Sequence, residues 1–243
     1  MVMLEVVPVP VLTDNYVWLI HNPASGETAA VDPSVATPVL DAVAAKGWRL
    51  TQVLNTHWHP DHTGGNEDIQ AATGATITAP AEAKRVSKVD CVVAEGDRVT
   101  AAGAEAVVWN IPAHTAGHIA YYFKEEGMIF VGDTMFAMGC GRLFEGTPEQ
   151  MYANMQRIAA FPENVRIYCG HEYTLANARF AAHTDPTNAA ITARLEEVAA
   201  LRGAETITLP TTVAQERETN PFVRATNEEE FARLRSAKDS FRS

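Results

Sequence analysis

The fold of this chain is decided by residues 56–66, Thr-His-Trp-His-Pro-Asp-His-Thr-Gly-Gly-Asn. Three histidines and one aspartate fall between His57 and His62. The apolar segment 52–55 precedes them and predicts a buried strand. Two glycines follow and end any regular element. The pattern therefore predicts a strand that carries metal-type ligands onto a loop, where functional sites are usually built.

The spacing within this loop indicates two metals rather than one. His57 and His59 are two residues apart, so in an extended segment both side chains point the same way. Pro60 favours that extended geometry in the residue before it. Asp61 and His62 come after the turn and project elsewhere. The alternative is a histidine-rich polar surface loop, which we disfavour because four such side chains rarely cluster directly after a buried strand.

Composition limits the classes of function. The chain has 243 residues, 47% of them hydrophobic, which is enough for a sizeable core. A formal net charge of -11 argues against a nucleic-acid partner. We see neither a signal peptide nor a run of membrane-spanning length, so no membrane association is expected. The odd cysteine count, with Cys91, Cys140 and Cys169 far apart, fits a reducing compartment, and we expect a cytoplasmic protein.

Strands and helices follow an α+β order. An antiparallel meander is expected over residues 6–31, and then a helix with Thr37 as its N-cap. A helix is expected over 81–88. Thr147 and Gln150 form a capping-box pattern that begins another helix, whose predicted core face is Met151, Met155 and Ile158. After Tyr173 the pattern becomes helical, over 175–183, 189–202 and 228–241. The stretch 206–224 is expected to be largely irregular, with Pro210 and Asn220-Pro221. We therefore expect one unit over residues 1–173 and a second, helical unit over 174–243.

Three further ligand-type residues lie at the edges of predicted strands, namely His118, Asp133 and His171. Each one alone is also explained as a satisfied polar residue or a turn. Strand-end loops gather at one rim of a sheet sandwich, so we expect all three to join the first cluster. We interpret His114 as a residue that orients or supports a ligand.

The expected set is then five histidines and two aspartates, which is enough for a dinuclear site with one bridging carboxylate. Two divalent ions about 3.5–4 Å apart would acidify a bound water and polarise the bond being attacked. Imidazole and carboxylate ligands without thiolate suit zinc, iron or manganese, of which zinc is our first expectation.

With these residues assembled, the chain resembles the metallo-β-lactamase superfamily. The His-x-His-x-Asp-His pattern, followed by His118, Asp133 and His171, follows the metal pattern of that superfamily in order. The stretches 139–147, 168–174, 220–222 and 235–239 narrow the resemblance to the glyoxalase II (hydroxyacylglutathione hydrolase) family. That resemblance spans essentially the whole chain and implies an αββα sandwich followed by a C-terminal helical domain.

The resemblance also implies an activity and roles for individual residues. The implied reaction is hydrolysis of S-D-lactoylglutathione to D-lactate and glutathione by a metal-activated hydroxide, the second step of methylglyoxal detoxification. The first metal would be held by His57, His59 and His118, and the second by Asp61, His62 and His171. Asp133 would bridge them, and Asp61 and Asp133 would be the catalytic carboxylates. Glutathione would be recognised by Arg142, Tyr173, Arg235 and Lys238.

Two positions depart from the family pattern. Arg142 stands where other members carry lysine, and Phe144 stands where they carry a tyrosine. The first change keeps the charge with a different geometry, and the second removes one hydrogen bond to glutathione. Both bear on the affinity for glutathione.

Three other functions remain open from the sequence. The chain could hydrolyse another thioester or a lactone, act as an iron persulfide dioxygenase, or bind a glutathione conjugate without turnover. A full set of seven ligands argues against the dioxygenase, which needs a single iron. We find no Gly-x-Ser-x-Gly elbow for a serine nucleophile. Monomer is the default expectation.

Overall fold

A computed structural model describes residues 3–242 of the chain. Its first sheet has six strands. The first three pair antiparallel with their neighbours, and the third also begins a parallel set that runs to the sixth. They lie side by side in chain order: β1 (Glu5–Val11), β2 (Asn15–His21), β3 (Glu27–Val31), β4 (Arg49–Leu54), β5 (Thr76–Ala79) and β6 (Cys91–Val92). The antiparallel meander expected over residues 6–31 is therefore confirmed.

The remaining strands form a second sheet and a small hairpin. They are β7 (Arg98–Ala101), β8 (Ala104–Asn110), β9 (Ile119–Phe123), β10 (Met128–Gly132), β11 (Met135–Phe136), β12 (Gly139–Cys140), β13 (Arg166–Cys169) and β14 (Thr211–Thr212). The hairpin is β11 with β12, and the order in the second sheet is β14-β13-β10-β9-β8-β7. Strands β10 and β13 run parallel, so their carboxyl ends reach the same edge.

The described part of the chain also contains nine α-helices. They are α1 (Ala36–Ala45), α2 (Pro60–Thr63), α3 (Asn66–Thr73), α4 (Pro148–Ala159), α5 (Thr174–Thr184), α6 (Ala189–Gly203), α7 (Val213–Thr219), α8 (Pro221–Arg224) and α9 (Glu228–Ser240), with a 3-10 helix at Ala81–Arg85. None of these described helices is long and apolar enough to cross a membrane.

Two clusters of buried apolar side chains hold the layers of helices and sheets together. The larger one lies between the sheets, where Trp18 and Leu54 of the first sheet meet Tyr121 and Phe130 of the second. The smaller one joins α1 and α3 to the outer face of the first sheet. Burial of these apolar side chains is the main favourable term for this arrangement. The αββα sandwich with a C-terminal helical part is confirmed.

The helical tail packs on the same core as the sandwich. Phe180, Phe222 and Phe231 are fully buried and belong to the cluster between the sheets. Helix α9 also contacts α4, whose predicted core residues Met151, Met155 and Ile158 are all fully buried. The division into units 1–173 and 174–243 remains a proposal, and its limits at residues 1 and 243 lie outside the described residues.

The prediction of an irregular segment over residues 206–224 is wrong, since β14, α7 and α8 lie there. Thr212 and Gln215 form a complete capping box that begins α7. The Asn220 side chain caps α8, with Pro221 at the first helical position. Pro221 lay within the stretch expected to be irregular, whereas here it begins a helix.

Two helix boundaries also differ from expectation. Helix α1 begins at Ala36 behind Val35, so Thr37 is not its N-cap. Pro38 lies in the first turn, where a backbone N–H has no partner within the helix, and it therefore does not prevent the earlier start. The helix expected over 81–88 is a 3-10 helix ending at Arg85, after which the chain extends toward β6.

Candidate metal centre and substrate cavity

The histidine-rich loop changes conformation in its middle. His59 is the extended residue before α2 (φ -58, ψ 143), and Pro60 begins that helix. His57 and His59 therefore precede the helix, while Asp61 and His62 lie in its first turn. This turn separates the four side chains into two pairs, as the spacing predicted.

The first group of ligand atoms contains His57, His59 and His114. The Nδ1 atom of His59 lies 3.1 Å from the Nε2 atom of His57 and 3.1 Å from the Nε2 atom of His114. Nitrogens bound about 2.0–2.1 Å from a tetrahedral zinc ion would be roughly 3.3 Å apart. Three ring nitrogens thus converge at the spacing of a metal site.

The second group contains Asp61, His62 and His171. One Asp61 oxygen, Oδ2, lies 3.5 Å from the Nε2 atoms of both His62 and His171. The Asp133 carboxylate lies between the two groups. Its Oδ1 is 3.4 Å from His62 Nε2, and its Oδ2 is 3.2 Å from His171 Nε2 and 3.5 Å from His114 Nε2. Asp133 is placed as a bridge between two metals would be.

His118, predicted as a ligand of the first metal, does not join the first group of ligand atoms in this structure. Its Nδ1 lies 3.1 Å from the carbonyl oxygen of Ile119, and its Nε2 accepts a hydrogen bond of 3.2 Å from the backbone N–H of Asp133. Both ring nitrogens are therefore engaged by backbone. His114, which the sequence analysis interpreted as a supporting residue, takes the place in the cluster.

The different placement of His118 and His114 has a local geometric cause. His118 directly precedes strand β9 and is fully buried at the sheet edge. His114 lies four residues earlier, in the loop that reaches over the cluster. The sequence offered one signal in favour of His114, namely its greater distance along the loop from the start of strand β9.

The remaining ring nitrogens are held by groups that orient the histidines. His62 Nδ1 lies 3.2 Å from Asp32 Oδ2. The hydroxyl of Thr56 lies 3.0 Å from His57 Nδ1 and donates to Asp32 Oδ2 at 2.7 Å. The same Asp32 accepts from the backbone N–H of Thr56 at 2.7 Å. Asp32 is close enough to His57 and His62 to form a third group, but both its oxygens are already bonded.

Two other histidines are oriented in the same way. His114 Nδ1 lies 2.9 Å from the carbonyl oxygen of Arg142, and His171 Nδ1 lies 2.8 Å from Asp14 Oδ1. Each contact fixes the ring so that Nε2 faces the cluster, as metal-bound histidines require. Asp14, Asp32 and Thr56 were not found from the sequence, since each lies far along the chain or lacks a ligand-type pattern.

The electrostatics fit neutral metal donors at the first group. Burial lowers the pKa of His57, His59 and His114, which keeps these rings neutral near pH 7. At the second group burial disfavours the charged rings, but Asp133 outweighs it and raises the pKa of His62 and His171. Burial also disfavours ionised Asp133, but His62 and His171 outweigh it and hold the pKa of Asp133 well below its usual range. Neutral imidazoles and an ionised carboxylate are the forms that bind metal ions.

Two buried polar atoms independently test whether these residues fit metal ions. Among the described residues, His62 Nε2 and Asp133 Oδ1 have no hydrogen-bond partner, although both are inaccessible to solvent. Such orphaned atoms are rare because they forfeit the hydrogen bond that water would give. Both face the space between the two groups. The residues present therefore fit two divalent metal ions.

A cavity of about 530 Å³ opens over this cluster. Its size falls within the range of small-molecule sites. Metal-type residues His59, Asp61, His114, Asp133 and His171 form part of its wall. All four residues predicted to recognise glutathione line the same cavity: Arg142, Tyr173, Arg235 and Lys238.

These four residues differ in their contacts. The Tyr173 ring stacks on His171, with centroids 4.7 Å apart and an interplanar angle of 4°. Burial raises the pKa of its phenol, which stays a hydrogen-bond donor. Arg142 is largely exposed, with its Nε 3.9 Å from Asp239. Lys238 donates to the carbonyl oxygen of Ala176 at 3.1 Å.

Arg235 is bound mainly to protein. It is buried, and its Nη1 donates to the carbonyl oxygen of Cys140 at 2.8 Å while its Nη2 donates to Asp239 at 2.9 Å. Its Nε is buried without a partner in the described residues. Phe144 is exposed in the cavity wall, with its ring against His59 and His114.

The sandwich and the converging donor set define a metallohydrolase of the metallo-β-lactamase superfamily, whose family model matches residues 12–171. A second family model, described as hydroxyacylglutathione hydrolase C-terminus, matches residues 172–241. The chain belongs to the hydroxyacylglutathione hydrolase family.

Relatives of that name cover nearly the full chain. A curated hydroxyacylglutathione hydrolase of Methylococcus capsulatus is 49% identical over 233 residues, covering 96% of this chain and 91% of its own. Its counterpart in Erythrobacter litoralis is 48% identical over 251 residues, covering 98% of this chain and all of its own length (100%).

Solved structures share the fold at lower identity. ETHE1 from Myxococcus xanthus superposes with a TM-score of 0.73 at 24% identity, covering 96% of this chain and 90% of its own. TTHA1623 in a di-iron-bound form gives a TM-score of 0.65 at 20% identity, covering 90% of this chain and 99% of its own. These likenesses concern the fold alone.

Proposed function

We propose that this protein hydrolyses 2-hydroxyacyl glutathione thioesters, with S-D-lactoylglutathione as the reference substrate, to the hydroxy acid and glutathione. One observation carries the proposal. Two groups of ligand atoms share Asp133 at the wall of a cavity that cationic side chains also line. Membership of the hydroxyacylglutathione hydrolase family supports the same activity.

His57, His59 and His114 would hold one metal, Asp61, His62 and His171 the other, and Asp133 would bridge them. Two divalent ions bound there would supply an acidified water and an electrophile for the thioester carbonyl oxygen. The Asp61 side chain is partly exposed (39%) and lines the cavity, so its carboxylate can receive the proton that the attacking water loses.

The remaining residues bind and orient the substrate. Arg142 and Lys238 line the cavity wall and carry positive charge, which would attract the two carboxylates of glutathione. The Tyr173 hydroxyl is an oriented donor beside His171. The leaving thiol has a pKa of about 8.5, so the thiolate departs without a dedicated general acid.

Metal identity, oligomeric state and location are part of the proposal. Imidazole and carboxylate donors without thiolate suit zinc, with iron and manganese as alternatives. We propose a monomer as the default state, because no feature of the sequence demands an oligomer. A cytoplasmic location fits the three unpaired cysteines among the described residues.

The test is turnover of S-D-lactoylglutathione by the purified, metal-loaded protein, beside a simple thioester without glutathione. We expect rapid, selective loss of the glutathione thioester. Equal rates on both substrates would leave the metal chemistry and remove glutathione recognition. Absence of turnover with two metals bound would overturn the proposed activity.

Binding of the anionic substrate should weaken as pH rises through about 8. Burial, with a further contribution from Arg235, lowers the pKa of Lys238 to about 8, so the ammonium loses its charge above that pH. We expect KM for S-D-lactoylglutathione to rise between pH 7 and pH 9. The measurement is KM against pH for the wild type and for Lys238→Arg.

Lys238→Arg is the matched control, because a guanidinium stays charged over this range. Its KM should change little with pH. Lys238→Ala should raise KM at pH 7 for the glutathione thioester and leave a small thioester unaffected. The same pH dependence in all three proteins would contradict a role for Lys238.

A further inference from the structure

The cavity wall contains one carboxylate that lies outside the metal groups. Among the described residues that line the cavity, the acidic ones are Asp61, Asp133 and Asp239, and the first two belong to the metal cluster. Asp239 instead lies among cationic side chains, near Arg142, Arg235, Lys238 and Arg242. An acidic side chain at this place would weaken the binding of a ligand that offered only carboxylates, because like charges repel.

Two guanidinium groups hold this carboxylate in place. Arg235 Nη2 lies 2.9 Å from Asp239 Oδ1, and Arg142 Nε lies 3.9 Å from the same oxygen. The Asp239 side chain is half exposed (50%). Within residues 3–242, Oδ2 makes no hydrogen bond. One face of the carboxylate is therefore anchored and the other is open to a ligand in the cavity.

The glutathione part of the substrate has a matching charge pattern. Its γ-glutamyl group carries an α-carboxylate and an α-ammonium on the same carbon. A pair of opposite charges is recognised best by a cation and an anion side by side. Arg142 and Asp239 form such a pair in the cavity wall.

We propose that Asp239 determines specificity for the α-ammonium of the γ-glutamyl group, with Arg142 facing the adjacent carboxylate. The inference rests on the proposed function and deepens it, since it names the part of the substrate that is recognised. It predicts that the enzyme distinguishes glutathione thioesters from those whose amino group is blocked.

The competing explanation is that Asp239 only positions the Arg235 side chain, because Asp239 lies one helical turn after Arg235. Arg235 is also held by the carbonyl oxygen of Cys140, at 2.8 Å, and its guanidinium lies 5.4 Å from the ring centroid of Phe222. The substitution Asp239→Asn keeps an oxygen that accepts from Arg235 and removes only the charge. The two roles therefore predict different results for this variant.

The experiment compares S-D-lactoylglutathione with the same thioester acetylated on its α-amino group. For the wild type we expect kcat/KM to be roughly tenfold higher for the free amine, the size of a charge-assisted hydrogen bond. Asp239→Asn should raise KM only for the free amine and leave kcat unchanged, so the preference falls toward unity. An equal rise of KM for both substrates would assign Asp239 to positioning and overturn the proposal.

Binding of the products gives the same comparison without turnover. Calorimetry of glutathione and N-acetylglutathione should show the preference in the wild type and its loss in Asp239→Asn. A protein that binds with this preference but turns over no thioester would refute the proposed function and keep the inference. No preference in the wild type would refute the inference alone.

Asp185→Asn is the matched control variant. Asp185 pairs with Arg224 at 3.0 Å on the helical part, and it does not line the substrate cavity. The substitution removes an ion pair of comparable length, and the Asp185 side chain is 34% exposed against 50% for Asp239. The KM values of this variant for both thioesters should equal those of the wild type.

Discussion

His114→Ala is expected to remove one metal and lower kcat/KM by about 10²–10³-fold, since a metal ion contributes several kcal/mol to such a reaction. The reason is geometric, because His114 Nε2 is one of three ring nitrogens that converge on a single point. The measurement is metal content per chain together with turnover of S-D-lactoylglutathione.

His118→Ala is the matched comparison, four residues along the same loop. It leaves the Asp133 N–H buried without its acceptor, at a cost of about 1–3 kcal/mol of folding stability. We expect a lower Tm, two metals at saturating metal concentration, and a loss of activity no greater than about 10–100-fold. Loss of a metal in the His118 variant, with full content in the His114 variant, would reverse the assignment.

Gly170→Ala should have an effect as large as the loss of a ligand. A Cβ atom at Gly170 would lie 2.6 Å from Asp133 Oδ1 and 2.6 Å from His62 Cε1. Both neighbours belong to the ligand set, so a methyl group would displace the bridge and a ligand together. We expect metal content to fall and kcat to drop by about 10²-fold or more. Metal analysis and turnover test this.

Gly203→Ala provides the control for that substitution. Nothing lies within 4 Å of a Cβ built at Gly203, which is the last residue of α6. Alanine favours helix over glycine by about 0.5–1 kcal/mol, so Tm should stay equal or rise slightly. Two bound metals and normal turnover in Gly170→Ala would show that the cluster tolerates the displacement.

The local sequence was sufficient to predict the direction of the candidate ligand side chains where these lie close together along the chain. The alternation at His57 and His59, followed by Pro60 and a helical turn, orients the first four side chains without help from distant residues. Strand-end positions likewise sufficed for Asp133 and His171, because parallel strands β10 and β13 end at one edge. The helical tail was predicted from its periodicity.

Residues 206–224 show where local signals were ambiguous. Proline and asparagine serve both as breakers and as helix starts, so the same residues fit either interpretation. In the structure, Asn220 caps α8 and its side chain also donates to the carbonyl oxygens of Phe136 and Gly139. That contact to the distant hairpin was not visible in the sequence.

The sequence by itself determined the sandwich, the helical tail and the class of chemistry, and it predicted six of the seven residues that we propose as metal ligands. Only the tertiary structure chose His114 over His118, because the choice depends on which ring a buried backbone N–H engages. It also brought Asp14 and Asp32 to their histidines and placed Asp239 among cations. Local patterns fix the direction of side chains within one element, whereas contacts between elements depend on how the whole core packs.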